Sequence, residues 1–253
     1  MPIVANEARN FETIAKEFAY ERRQRARYLS INAVLNEQSD LGLLHDVVQL
    51  QATIRECLAH LQIEVLESPE YGKGLYLYPK ESLHCTLFFD SRLRASASQQ
   101  DLDNLVEEHP WRSIHTGKLD SLMACPRWFY SHPNNDPTPT TTFSLQLHFN
   151  AEQFSKIRAA FLDALPNDAV NPSKVRMSAM DIWVRATINI ARLMSDEFER
   201  LPSDLSFALC ELYENLNRLA DNCPATKIDV LSLCKSNSWL SPPSSVIQLY
   251  RLG

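Results

Sequence analysis

The segment that most constrains the fold is residues 83–89, which are nearly all apolar but contain a histidine and a threonine two positions apart. Its length and composition predict a buried β-strand. Because side chains alternate across a strand, His84, Thr86 and Phe88 are expected on one face, with the intervening residues on the other. A buried His-x-Thr pair needs hydrogen-bond partners or a ligand.

A second segment, residues 183–190, repeats this pattern about a hundred positions later. Arg185 stands where the first segment has His84, and Thr187 stands where it has Thr86. A charge inside an otherwise apolar strand is rarely placed there without a partner. We therefore expect the two strands to lie side by side and to line one cleft.

The polar residues of these two strands suit a phosphate ester. Hydroxyl groups and a guanidinium donate hydrogen bonds to phosphoryl oxygens, as Thr86, Thr187 and Arg185 would, with Asn189 one step further along. His84 is suited to act as a general acid or base near neutral pH, without any metal or cofactor. The alternative is a core histidine that is hydrogen-bonded only to backbone.

Composition limits the other functional classes. The net charge of −6 argues against a protein that coats DNA or RNA through bulk charge. The six cysteines form no C-x-x-C pair, so we expect reduced, mostly buried thiols and no zinc site. The five glycines form neither a dinucleotide-binding nor a P-loop motif. No apolar run is long enough to span a membrane, and no secretory signal is evident, so the default localisation is cytoplasmic.

Hydrophobic periodicity predicts helices alternating with strands along the whole chain. Helices are expected over about 6–24, 41–61, 96–107, 151–165 and 195–220, with Pro202 as a break or a second start in the last of them. Strands are expected over about 28–35, 75–78, 83–89, 117–130, 141–149, 182–191, 226–234 and 246–252, with Pro126 interrupting the fourth segment so that it forms one or two strands. The segment 141–149 alternates, with apolar residues on one face and Ser144, Gln146 and His148 on the polar face. The segment 22–27 contains four arginines, which fit either a phosphate-binding patch or a solvated helix end. Residues 131–140 form a polar, proline-rich loop.

The second half of the predicted order repeats the first in outline. We therefore predict an α+β fold of two pseudo-symmetric lobes, with two mainly antiparallel sheets flanked by helices. Residues 1–25 would be an N-terminal helical extension, and residues 26–253 a single bilobal domain.

Over residues 26–252 the sequence resembles the two-histidine (2H) phosphoesterase superfamily, which includes RNA ligase-like 2′,3′-cyclic phosphodiesterases. The residues His84-Cys85-Thr86-Leu87 match the first family motif. Residues 185–188 match the second in everything except the histidine, which is Arg185. The resemblance implies that one histidine serves as base and the other as acid, while the motif threonines hold the phosphoryl oxygens.

Carried over to this chain, the resemblance implies His84, Thr86 and Thr187 as catalytic residues. It implies Arg185, Thr86, Thr187 and Asn189 as the phosphate-binding set, with no metal and no cofactor. The expected partner is a nucleotide or an RNA end that carries a phosphate ester. Since arginine does not release its proton near neutral pH, the chain is either a slow or rewired phosphodiesterase or a phosphate-binding protein without turnover. A third hypothesis is an interaction protein that uses residues 6–27 as its partner surface.

Overall fold

The computed structural model describes residues 28–35, 41–59, 62–67, 74–90, 98–129, 142–165, 183–194, 203–236 and 245–253. The helices described are α1 (Leu41–Ala59), α2 (Gln99–Glu108), α3 (Ala151–Leu162) and α4 (Ser203–Asp221). The strands are β1 (Tyr28–Val34), β2 (Val65–Leu66), β3 (Gly74–Leu77), β4 (His84–Asp90), β5 (Leu122–Phe129), β6 (Thr142–Asn150), β7 (Trp183–Met194), β8 (Thr226–Ile228), β9 (Val230–Ser236) and β10 (Ser245–Arg251). The predicted N-terminal helix, the arginine-rich segment 22–27 and the loop 131–140 lie outside the described residues.

The strands form one large sheet in the order β10-β9-β1-β4-β7-β6-β5-β8, with β3 beside the end of β7 and β2 beside β3. Every strand pair within the described residues is antiparallel except β2 with β3. The predicted α+β class is confirmed, and the two motif strands, β4 and β7, are neighbours in the middle of the sheet. The similarity of the two predicted lobes stays a prediction.

The two halves of the sheet are joined edge to edge, where the sequence predicted two sheets. The register pairs β4 with β7 at Cys85 and Ile188. The paired segments are much longer on the outer sides of these two strands, where β4 pairs with β1 and β7 pairs with β6. The seam between the halves is therefore narrow, and it lies at the two motifs.

The helices pack on one face of the sheet, which we call the helix-covered face. Phe154 of α3 packs on Phe149 of β6 and on Phe88 of β4, with ring centroids 6.3 and 5.6 Å apart. Tyr213 of α4 packs on Phe143 at the start of β6. Burying one such aromatic side chain stabilises the fold by about 1.5–3 kcal/mol. The alternating apolar residues of β6 face this core, as the sequence predicted.

Phe88 corrects the predicted face assignment in β4. Thr86 pairs with Asn32 and Phe88 pairs with Ile31, so the strand contains one extra residue between them. This β-bulge turns Phe88 onto the face opposite Thr86. Phe88 is fully buried and contacts α3, so it belongs to the hydrophobic core. The polar face of β4 that carries His84 and Thr86 therefore does not extend to residue 88.

Local sequence signals account for several element ends. Helix α2 begins with a capping box between Ser98 and Asp101. Helix α4 is described from Ser203, and the segment 195–202, where Pro202 was expected to be either a break or a second start, lies outside the described residues. Pro126 does not split its segment in two, because a register shift lets β5 continue through it. The predicted strand 226–234 is divided at Asp229 into β8 and β9.

The cysteines with described side chains are free, as predicted, but not mostly buried. Cys85 and Cys234 are buried, while Cys57, Cys125 and Cys223 are partly exposed. Burial raises the pKa of the Cys85 thiol above its usual range. None of the helices in the described ranges is long and apolar enough to cross a membrane.

Candidate functional site

Four polar residues form a line across the middle of the sheet, on the face opposite the helices, and we call them the polar row. They are Asn32 of β1, Thr86 of β4, Thr187 of β7 and Gln146 of β6. The register pairs Asn32 with Thr86 and Gln146 with Thr187. Thr86 and Thr187 are each one step from the Cys85–Ile188 pair, which places the two threonines side by side.

The centre of the polar row is open to solvent. Thr187 is exposed, Thr86 and Gln146 are partly buried, and Asn32 is fully buried. Two adjacent threonine hydroxyls at an open seam can donate hydrogen bonds to one anionic group. This is the arrangement that the repeated pattern predicts.

His84 is held by the turn that precedes its strand. Its Nδ1 atom lies 2.6 Å from the carbonyl oxygen of Ser82. A carbonyl oxygen only accepts, so Nδ1 is the donor, and in the neutral ring the lone pair lies on Nε2. Ser82 ends the 3-10 turn Lys80–Ser82, where its backbone N–H and its hydroxyl both donate to the Pro79 carbonyl. Local structure therefore fixes the tautomer of the neutral imidazole.

The register also places the second motif relative to the first. His84 lies two residues before Thr86, and Arg185 lies two residues before Thr187. Because the strands are antiparallel, these two positions lie on opposite sides of the threonine pair, roughly 13 Å apart along the strands. They do not stand directly opposite each other. The residue opposite Arg185 is His148 of β6.

Asn189 lies on the His84 side of the polar row, one register step from the Cys85–Ile188 pair. Its Oδ1 atom accepts a hydrogen bond from the Ser144 hydroxyl at 2.7 Å. Ser144 is the residue opposite Asn189 in β6. This bond fixes the orientation of the Asn189 amide, so its amide nitrogen becomes a positioned donor on that side of the row.

The neighbours of the motif strands contribute site residues that sequence reasoning did not select. The amide nitrogen of Asn32 donates a hydrogen bond to the Ser30 hydroxyl at 3.0 Å, which orients the side chain. Asn32 Oδ1 and Gln146 Oε1 are buried atoms without a hydrogen-bond partner among the described residues. Leaving a buried acceptor unsatisfied costs about 1–3 kcal/mol, which is the cost these two positions carry if no partner reaches them.

These residues left only a weak signal in the sequence. The alternation in β6 did predict that Ser144, Gln146 and His148 share its polar face. Their position beside Thr187 and Arg185 depends on β6 pairing with β7, which a sequence pattern does not specify. Asn32 lies in a strand that reads as ordinary apolar β-structure, and only the pairing with β4 brings it to Thr86.

A second histidine, His109, lies on the helix-covered face and does not belong to the site. Its Nε2 donates to Asp90 Oδ2 at 2.9 Å, and its Nδ1 accepts from the backbone N–H of Trp111 at 3.2 Å. All three side chains are buried. Both ring nitrogens therefore have partners inside the core, and this pair has a structural role.

Within the described ranges, no group of three or more His, Cys, Asp or Glu side chains is close enough to hold a metal ion.

No protein-family model matches the sequence, and no curated protein matches it. Several solved structures resemble the chain over 90% of its length. Usb1 from Kluyveromyces marxianus matches with 10% identity, a TM-score of 0.42 and 99% of its own chain covered. The same protein with uridine monophosphate gives a TM-score of 0.43 at 10% identity, also with 99% covered. The conserved protein ATU0111 from Agrobacterium tumefaciens, of unknown function, matches with 14% identity, a TM-score of 0.45 and 85% covered. These likenesses are distant and concern only the outline of the fold.

Proposed function

We propose that the chain binds a phosphodiester or a 2′,3′-cyclic phosphate, on an RNA end or a small nucleotide, and hydrolyses it by metal-independent acid–base chemistry centred on His84. The observation that carries this proposal is the placement of Thr86 beside Thr187 at the seam of the sheet, with His84 two residues away. The carbonyl of Ser82 orients the His84 ring.

Each group has a separate task. The two threonine hydroxyls donate to the non-bridging phosphoryl oxygens and hold the phosphorus over the seam. The amide nitrogen of Asn189 adds a donor on the His84 side. With Nδ1 donating to Ser82, the Nε2 atom of neutral His84 can take a proton from the attacking water. Arg185 remains charged near neutral pH and stabilises the charge that develops on the phosphate.

Arg185 also supports a second candidate function, which is phosphate-ester binding without turnover. An arginine cannot donate its proton to a leaving oxygen near neutral pH. Loss of one proton-transfer group typically slows such a reaction by about 10²–10⁴-fold. A chain with the same site but no effective acid would hold the ester without cleaving it.

Uridine 2′,3′-cyclic phosphate tests the two functions together. Turnover by the wild-type chain that is lost in His84→Ala, with unchanged folding by circular dichroism, would support the hydrolase. His45→Ala is the matched control, because His45 is exposed on α1 and its Nε2 atom bonds to Gln49 one turn along the same helix.

Binding is measured separately, by the shift in melting temperature with uridine 3′-monophosphate. A shift that Arg185→Ala and Thr187→Val abolish, without turnover of any diester in a broad panel, would favour binding alone. The absence of both turnover and any shift would contradict the proposed function.

A further inference from the structure

Hydrolysis of a phosphodiester involves two proton transfers at neutral pH. The attacking water gives up a proton, and the leaving ribose oxygen takes one. His84 supplies one of these groups, and Arg185 cannot supply the other. Turnover without the loss of rate that a missing acid causes therefore calls for a second titratable residue near the polar row.

His148 is the candidate that the strand register provides. Among the described strand residues on the polar face, His84 and His148 are the two histidines. The register pairs His148 with Arg185 of β7 on one side and with Cys125 of β5 on the other, and these are the charged and titratable residues at the paired positions of the adjacent strands. It is 6% exposed, so its ring is held within the protein rather than in open solvent.

The position of His148 complements that of His84. His84 lies two residues from the polar row on one side, and His148 lies two residues from Gln146 on the other. From a strand spacing of about 4.8 Å and a rise of about 3.3 Å per residue, their Cα atoms lie roughly 7 and 10 Å from the midpoint of the threonine pair. Because the His148 ring is nearly buried, its Nε2 atom included, and its Cα is the more distant of the two, His148 would act on the leaving oxygen through one water.

We infer that His148 replaces the missing histidine of the second motif, from the neighbouring strand, as the general acid of the reaction; this inference rests on the proposed function. Water attacks the phosphorus while Nε2 of His84 takes its proton, and the new P–O bond forms. The bond from phosphorus to the ribose oxygen breaks, and the imidazolium of His148 protonates that oxygen. One proton enters His84 and one leaves His148, so exchange with solvent restores both rings.

The test compares His148→Gln with the wild type on uridine 2′,3′-cyclic phosphate. We expect kcat to fall by about 10²–10⁴-fold with little change in KM. The alkaline limb of the pH–rate profile, which reports deprotonation of the acid, should disappear. A nucleoside 4-nitrophenyl phosphate has a leaving group that departs without protonation, so the same variant should lose far less activity on it. A residue that only supports the structure would slow both substrates equally.

Two further variants keep the test decisive if His148→Gln folds poorly. His148→Asn is shorter and neutral and should give the same two substrate effects. Adding Arg185→His to either variant restores an acid in the second motif and should recover activity. The inference is overturned if folded His148 variants keep the wild-type kcat and both pH limbs while His84→Gln is inactive, and the proposed function then still stands. Absence of wild-type turnover on both substrates overturns the hydrolase and this inference together.

Discussion

The two motif strands, β4 and β7, carry nearly the same sequence pattern, but the alternation of polar residues stops at a different position in each. Each contains one β-bulge, identified from the register with its outer neighbour. In β4 the extra residue is Leu87, directly after the motif threonine, and the next residue, Phe88, turns into the core. In β7 the extra residue is Ile190, and the polar alternation reaches Asn189 before it ends.

This difference gives the site its asymmetry. The fourth residue after the first motif position is a core aromatic, and its counterpart in the second motif is a polar residue bonded to Ser144. The first motif thus supplies an oriented histidine, and the second supplies a longer polar edge together with the residues of β6. A repeated sequence pattern does not by itself produce two equivalent half-sites.

The largest expected effect tests the comparison between Phe88 of β4 and Asn189 of β7, which lie four residues after the first position of their motifs. Phe88→Ala removes a fully buried ring that contacts both Phe154 and Phe161, so we expect the free energy of unfolding to fall by about 3–5 kcal/mol. Asn189→Ala removes one hydrogen bond at a partly buried position and should cost about 1 kcal/mol. Urea denaturation measures both. Similar losses in the two variants would contradict the opposite orientations of these positions.

The motif threonines should contribute to ligand affinity alike. Thr86→Val and Thr187→Val each remove a hydroxyl while keeping the shape of the side chain. Loss of a hydrogen bond to a charged group costs about 1.5–3 kcal/mol, so each should weaken binding of uridine 3′-monophosphate by roughly 10–100-fold. Isothermal titration calorimetry gives the two values. If one variant binds as the wild type does, that threonine lies outside the phosphate site.

The bulge in β7 is stabilised by Gln51 of α1. The Gln51 amide nitrogen donates to the carbonyl oxygens of Tyr78 and Ile190, at 2.7 Å each. Gln51→Leu leaves these carbonyls without that donor in a buried region and should lower stability by about 2 kcal/mol. Gln49→Leu is the control, because Gln49 is exposed on the same helix. Equal melting temperatures for the two variants would show that the bulge does not depend on Gln51.

The smallest expected effect concerns Cys85 of β4, which pairs with Ile188 at the seam. Burial raises the pKa of its thiol, so the folded chain keeps the proton at pH values where the unfolded chain, with a thiol pKa of about 8.5, loses it. Stability is therefore complete below that pH and falls above it. At pH 9 this one thiol should cost about 1 kcal/mol relative to pH 7.

Cys85→Ala should reduce this alkaline loss relative to the wild type. The urea midpoint, measured at pH 7 and pH 9 for both proteins, gives the difference. An identical loss in the variant would mean that other buried groups account for the whole effect; Cys234 and Tyr76 are candidates, since burial raises the pKa of both.

Much of the fold and part of the candidate site could be predicted from local patterns. The helix over α1, the alternating strand β6 and the two motif strands follow from hydrophobic periods of 3.6 and 2 residues. The expectation that β4 and β7 lie side by side followed from their matching sequences. The orientation of Phe88 could not be predicted, because a bulge depends on which residue of β1 each β4 residue pairs with.

The sequence by itself determined the chemistry of the two central strands, because a histidine and a threonine, or an arginine and a threonine, in an apolar strand admit few uses. Only the tertiary structure decided which residues surround that chemistry. It placed Asn32 beside Thr86, Gln146 beside Thr187 and His148 beside Arg185. The physical reason is that pairing between distant strands is set by packing of the helix-covered face and by two bulges. A one-residue shift at either bulge would send these polar side chains to the other side of the sheet.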